Sequence, residues 1–136
     1  MAHMILVVDD DAETRRVLRC VLAPIASVIE AADGAEALLK IRAERPQLTL
    51  LDVVMPEMGG LDVLESCQAL APRMIVVMLS GQSDIGIAKT ALDRGARAYI
   101  TKPIDPQRLR DVIEDLLGMN ARADDPDRRK PWRVVG

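Results

Sequence analysis

The chain has 136 residues, nearly half of them apolar, which is enough for one domain with a sizeable core. Tyr99 and Trp132 are its only aromatic residues and Phe is absent, so that core is aliphatic. A net charge of −3 and apolar runs well short of the ~18 residues of a membrane span argue against a nucleic-acid-binding body and against a membrane protein.

Met1-Ala-His3 ahead of a second Met reads as a cloning remnant, which leaves 4–118 as the domain and 119–136 as a charged tail or linker. Setting the remnant aside removes His3, the only histidine, and with it His-ligated metal and His general-base catalysis. No signal peptide precedes Met4, and Cys20 and Cys67 match no metal-ligand spacing. Both cysteines fall within helical patterns and read as small buried hydrophobes in a reducing cytoplasm.

From Met4 the pattern alternates strand and helix, the signature of a parallel α/β fold. Met4 to Val8 is a short buried strand that runs into Asp9, Asp10 and Asp11. Asp11 serves as N-cap of a helix on which Thr14, Val17, Leu18, Val21 and Leu22 recur, ending before Pro24. Ser27 to Ala31 is the second strand, and Asp33-Gly-Ala-Glu36 has the shape of a capping box for a helix that stops before Pro46. The third strand, from Leu48, ends at Asp52. A loop with Pro56, Gly59 and Gly60 leads into a helix carrying Leu61, Leu64 and Cys67. Met74 to Leu79 is apolar on both faces, as a strand inside a sheet is. Ser80 to Ser83 form its loop, with Ser83 capping a helix to Gly95; Ala98 to Thr101 is the fifth strand. Asp105-Pro106 pairs an N-cap with Pro at the first helical position, and Gly118 closes the helix behind Leu109, Val112, Ile113, Leu116 and Leu117.

Right-handed crossovers put all five strand–helix loops on one edge, where open parallel sheets bind ligands. If the first and third strands are neighbours, Asp9, Asp10 and Asp52 crowd one pocket. Two carboxylates ~4 Å apart repel by roughly 4 kcal/mol at an effective dielectric near 20. A hard divalent cation relieves that repulsion, and Mg²⁺ accepts one or two carboxylates plus a phosphate oxygen. Taken singly, each residue has an ordinary explanation: a helix cap for Asp11, a loop residue for Asp52, a turn residue for Ser80, a strand terminator for Lys102-Pro103. Together they supply acids for a cation, a carboxylate nucleophile, a hydroxyl and an ammonium, which is what a phosphoryl site needs.

Four segments surround these residues: Val7-Val-Asp-Asp10, Leu51-Asp-Val-Val-Met-Pro-Glu-Met-Gly-Gly60, Leu79-Ser-Gly81 and Gly95-Ala-Arg-Ala-Tyr-Ile-Thr-Lys-Pro103. In order and spacing this set resembles the receiver domain of two-component response regulators, from Met4 to about Gly118. The resemblance implies a doubly wound (βα)5, flavodoxin-like fold with a five-stranded parallel sheet in the order 2-1-3-4-5. It implies that Asp52 accepts a phosphoryl group from a partner histidine kinase or phosphotransfer protein, making the chain a signalling switch rather than an enzyme. Asp9, Asp10, Asp52 and the Val54 carbonyl would hold Mg²⁺. Lys102, Ser80 and Gly81 would bind the phosphoryl group, and the bond from Lys102 to Pro103 would be cis. Ser80 and Tyr99 would form the switch, with the helix after Ser83, the fifth strand and the helix from Pro106 as output face. A downstream protein target or a missing output domain would read that face.

Three departures qualify the resemblance. Val54 and Gln82 stand at positions that vary in the family and are thought to tune hydrolysis. Arg97-Ala98 precedes Tyr99 where winged-helix regulators usually carry acids, which counts against their characteristic phosphorylation-dependent dimer. No output domain follows; 120–136 carries five basic and three acidic residues, a net +2, and reads as solvated linker. The basic run from Arg128 with Trp132 is a weak pointer to nucleic acid or protein. Among rivals, a haloacid-dehalogenase-like aspartyl-phosphate hydrolase wants a second Asp where Val54 stands. A flavin-binding domain wants a Ser/Thr/Gly phosphate loop where three acids stand. A scaffold receiver that is never phosphorylated would have no need of the full acid, Ser80 and Lys102 set.

Overall fold

The computed structural model describes residues 3–53, 59–81, 85–119 and 133–135. Strands β1 (Met4–Val8), β2 (Ser27–Ala31), β3 (Leu48–Asp52), β4 (Ile75–Ser80) and β5 (Ala98–Thr101) lie parallel in the order 2-1-3-4-5. Helices α1 (Ala12–Leu22), α2 (Gly34–Glu44), α3 (Gly60–Leu70), α4 (Ile85–Asp93) and α5 (Pro106–Leu116) alternate with them. The expected doubly wound sheet is present.

Strand alternation sends successive side chains to opposite faces, and both faces are covered. Leu6, Val8, Leu51, Val76, Met78 and Tyr99 pack beneath α2, α3 and α4. Ile5, Val7, Leu50, Val77, Leu79 and Ile100 pack beneath α1 and α5, which touch each other. Coverage on both sides explains why β1, β3 and β4 read as continuous apolar runs. Thr49 interrupts β3, its buried hydroxyl donating to the Met74 sulfur, a weak acceptor, at 3.2 Å.

Helix starts follow the capping chemistry. Asp11 accepts from the Glu13 N–H, and Asp105 accepts from the Gln107 and Arg108 N–H groups behind Pro106. Asp33 accepts from the Glu36 N–H at 2.8 Å, while Glu36 reaches back to the Ala32 N–H at 3.5 Å, one residue before the usual reciprocal partner. Gly118 takes φ 75° directly after the α5 C-cap, the left-handed stop that glycine makes without strain.

Four readings change. Cys20 is exposed, because it sits about 200° around α1 from both Leu18 and Leu22, which take the inner face; Cys67 is buried as expected. Val17 likewise faces solvent. The His3 carbonyl accepts from the Ser27 N–H at 2.8 Å, so the sheet engages backbone of the segment that reads as a remnant. The largest change is at the far end of the chain. Arg133–Val135 forms a sixth strand, β6, parallel to β5, where the composition of the tail predicts solvated linker.

Candidate functional site

The carboxyl ends of β1, β3, β4 and β5 share one rim. Asp9 follows β1 and is almost wholly enclosed; Asp52 ends β3 and Ser80 ends β4, both buried. Their strands are neighbours in register, with Val8 beside Leu51 and Asp52 beside Leu79. Asp9, Asp10 and Asp52 each offer a carboxylate oxygen within 4.8 Å of the others. Asp10 is exposed, so the cluster opens to solvent on that side.

Among the described residues, one cation faces the acids. Lys102 Nζ stands 3.3 Å from Asp9 Oδ2 and 3.9 Å from Asp52 Oδ2. Its backbone N–H donates to the Ser80 carbonyl at 2.6 Å, tying the ends of β4 and β5 together. The peptide bond from Lys102 to Pro103 is cis. At ~4.8 Å and an effective dielectric near 20, two carboxylates repel by about 3.5 kcal/mol. With three acids and one ammonium, the cluster retains a formal charge of −2. The donor set is all hard oxygen, suited to Mg²⁺ and unsuited to soft metals.

Several groups hold Asp9 in place. Its Oδ1 accepts from the Asp11 N–H at 2.9 Å and its own N–H donates to the Ala31 carbonyl. Arg15 donates to the Asp9 carbonyl at 2.6 Å while its Nε pairs with Glu30 at 3.1 Å. Asp11 points away as a cap. The Thr14 hydroxyl and the Glu13 N–H hold its carboxyl below its ordinary value of 3.8. Gly60 closes the site from below: a Cβ there would stand 2.3 Å from the Asp52 carbonyl oxygen and 2.7 Å from Val53 Cα. The Gly60 N–H donates to the Val53 carbonyl at 2.9 Å.

Asp9, Asp10, Asp52, Ser80 and Lys102 are thus brought together as the sequence predicts. Gly81 lies exposed at the same rim. Tyr99 is buried in the middle of β5, its hydroxyl without a hydrogen-bond partner among the described residues. Val54, Gln82 and Ser83 lie outside the described residues. The supporting roles of Arg15 and Gly60 escape a reading of the sequence. Gly60 sits in a Gly-Gly pair that signals a turn, but only the folded loop shows what it must clear.

A rim of acids at strand ends, a serine at the end of β4 and a lysine before a cis proline after β5 define a class. The chain belongs to the response regulator receiver domain family, whose sequence pattern matches residues 5–114. It is 41% identical over 116 residues to the "Probable transcriptional regulator ycf27" of Porphyridium aerugineum, covering 83% of this chain and 47% of that protein. It is 32% identical over 119 residues to the chemotaxis protein CheY of Bacillus subtilis (strain 168), covering 86% of this chain and 99% of that one. The chain spans about half the length of the ycf27 relatives it matches. Among solved structures, a CheY-like receiver domain protein from Methanospirillum hungatei JF-1 superposes with a TM-score of 0.83 at 34% identity. That match covers 87% of this chain and 95% of the other. Receiver domains act as phosphoacceptor signalling switches, not as enzymes in the usual sense. Among the described residues, no helix is long and apolar enough to cross a membrane.

Proposed function

We propose that Asp52 is the phosphoacceptor, charged by a histidine kinase or a phosphotransfer protein, and that Asp9, Asp10 and Asp52 hold Mg²⁺ for the transfer. The observation that carries this reading is three carboxylates within 4.8 Å of one another facing the Lys102 ammonium. Bound there, Mg²⁺ supplies charge neutralisation between the nucleophile and the phosphoryl oxygens. The buried Asp52 carboxylate attacks phosphorus in line as the P–N bond of the donor phosphohistidine breaks, and the imidazole leaves neutral, keeping the proton already on its other ring nitrogen. Lys102, already within 4 Å of the nucleophile, pairs with an oxygen of the acyl phosphate. Such a transfer needs alignment and charge balance more than proton transfer, which suits a site without histidine. The same site returns the group to water, so the signal is transient.

Ser80 and Gly81 bind the phosphoryl group from the β4 end, and Ser80 and Tyr99 pass the change to α4, β5 and α5. The buried, unpartnered Tyr99 hydroxyl supports this role. Leaving such a group unsatisfied costs about 1–3 kcal/mol, so a second position with the hydroxyl in water is energetically accessible. Two new charge-assisted bonds supply about 3–6 kcal/mol, which at its upper end reaches the ~5.5 kcal/mol that turns a 1:99 population into 99:1 and suffices outright where the inactive state is only modestly favoured. The output face then acts on a downstream protein or on an attached output domain.

Incubation with acetyl phosphate, read by intact mass, tests the assignment. One alkali-labile phosphoryl adduct is expected, formed with Mg²⁺ and absent without it, and lost in Asp52→Asn. An adduct that survives Asp52→Asn, or forms equally well in a chelator, contradicts it. Beryllofluoride with Mg²⁺ should shift backbone resonances along α4, β5 and α5; unchanged spectra there would refute the output face.

A further inference from the structure

The two edges of the sheet are closed by different means. On β2, Arg19 donates to the Val28 carbonyl and Lys40 to the Glu30 carbonyl, so side chains occupy the outward carbonyls there. On β5, the edge is covered by β6, with Ala98 beside Arg133, Tyr99 beside Val134 and Ile100 beside Val135. An open edge there would be a liability, since Ala98, Tyr99 and Ile100 are buried and no charge or proline interrupts them.

The way β6 is connected is unusual. The steps from β3 to β4 and from β4 to β5 move outward along the sheet with α3 and α4 on the Tyr99 face. The step from β1 to β2 moves the other way with its helix on the Ile100 face, which gives the same hand. The step from β5 to β6 moves outward again, yet α5 lies on the Ile100 face. Same direction with the helix on the opposite face is the opposite hand. Parallel crossovers in one sheet share the right hand in about 98% of cases, because strand twist favours it. Within a single chain, β6 is the exception.

We propose that the segment Arg133–Val135 pairs between two copies of the chain, each adding its strand to the β5 edge of the other. The β5 edge and this segment fit one another in a defined parallel register, and that fit does not depend on which chain donates the strand. The rule of hand binds only strands of one chain, so exchange removes the exception while keeping every pairing. Fourteen residues, 119–132, separate Gly118 from Arg133. At ~3.3–3.6 Å each they span at most about 50 Å, ample for a neighbour whose radius of gyration is about 13 Å. Exchange of an end segment is a low-cost route to a two-fold dimer.

Cross-linking of the full chain tests this in a Cys20→Ser background. Chains carrying Ile100→Cys are mixed with isotope-labelled chains carrying Val135→Cys, and the double variant is oxidised alone. Exchange predicts a disulfide-linked heterodimer in the mixture and mostly dimeric product from the double variant. Light scattering of the unmodified chain should give about twice the monomer mass at tens of micromolar. Val134→Pro and Val135→Pro are tested separately, because a parallel ladder directs only alternate N–H groups to its neighbour. At least one should return the monomer mass without loss of the helical circular dichroism. A disulfide-linked monomer as the main product of the double variant would overturn the proposal. So would a monomer mass at all concentrations, or a dimer that both proline variants leave intact.

Discussion

Each side chain at the rim is set by a small number of contacts that can be removed one at a time. Gly60 is the most sterically constrained. In Gly60→Ala the new methyl meets the backbone of Asp52 and Val53, which cannot yield without moving the end of β3. A loss of about 1–3 kcal/mol is expected in urea unfolding, together with slower phosphorylation by acetyl phosphate; an unchanged midpoint would contradict the close approach. The Asp11 carboxyl should titrate below 3.8 by NMR, and Thr14→Val, which removes the largest cause, should raise it. With its folded value depressed, the contribution of Asp11 to stability is present above 3.8 and fades as pH falls through the lower value. The cysteines should separate cleanly. Burial pushes the Cys67 thiol up to about 11, while Cys20 is exposed, so one label per native chain is expected at pH 8, on Cys20. Rapid labelling of both would contradict the packing of α3. Asp9, Asp52, Ser80 and Lys102 were legible because each directly follows or ends a recognisable strand. Arg15, Gly60 and the outward turn of Cys20 were not, since they depend on neighbours brought in by the tertiary fold.

Elements begin and end where local chemistry says they should. The helix starts at Asp11, Asp33 and Asp105 follow from an acid before an apolar period, and Gly118 follows from the need for a left-handed stop. Asp105→Ala removes the acceptor for two N–H groups at the start of α5. It should cost about 1 kcal/mol and lower the melting temperature by a few degrees, whereas Asp105→Asn should cost little. Equal losses in both would show that the charge, not the cap, matters. Strand ends moved by a residue, as at β4, because an apolar run does not mark which residue last joins the ladder. β6 left no readable signal. Three residues are too few to show alternation, and the charge around them describes a solvated chain equally well.

At the scale of the molecule, alternation of strand and helix dictated a parallel α/β sheet, but the strand order came through the resemblance rather than from periodicity. Order matters because it makes β1 and β3 neighbours, and only then do Asp9, Asp10 and Asp52 converge. The rest of the fold tolerates this crowding at a cost. Lys102 offsets part of it from one side, and a divalent cation would offset the remainder from the open side at Asp10. Binding only to the folded pocket, Mg²⁺ at a hundred times its dissociation constant should stabilise the domain by about 2.7 kcal/mol.

The most direct test is the melting temperature of the native chain and of Asp10→Asn, each in EDTA and in saturating Mg²⁺. Asp10 is exposed and removable without a cavity, so the comparison reads charge rather than packing. In EDTA the variant should be the more stable, by about 1 kcal/mol once solvent screening is allowed for. In Mg²⁺ the order should reverse, because the native chain gains the cation's binding energy and the variant gains much less. If the native chain is the more stable in EDTA, or Mg²⁺ leaves both melting curves unmoved, the acids are not held together for a cation.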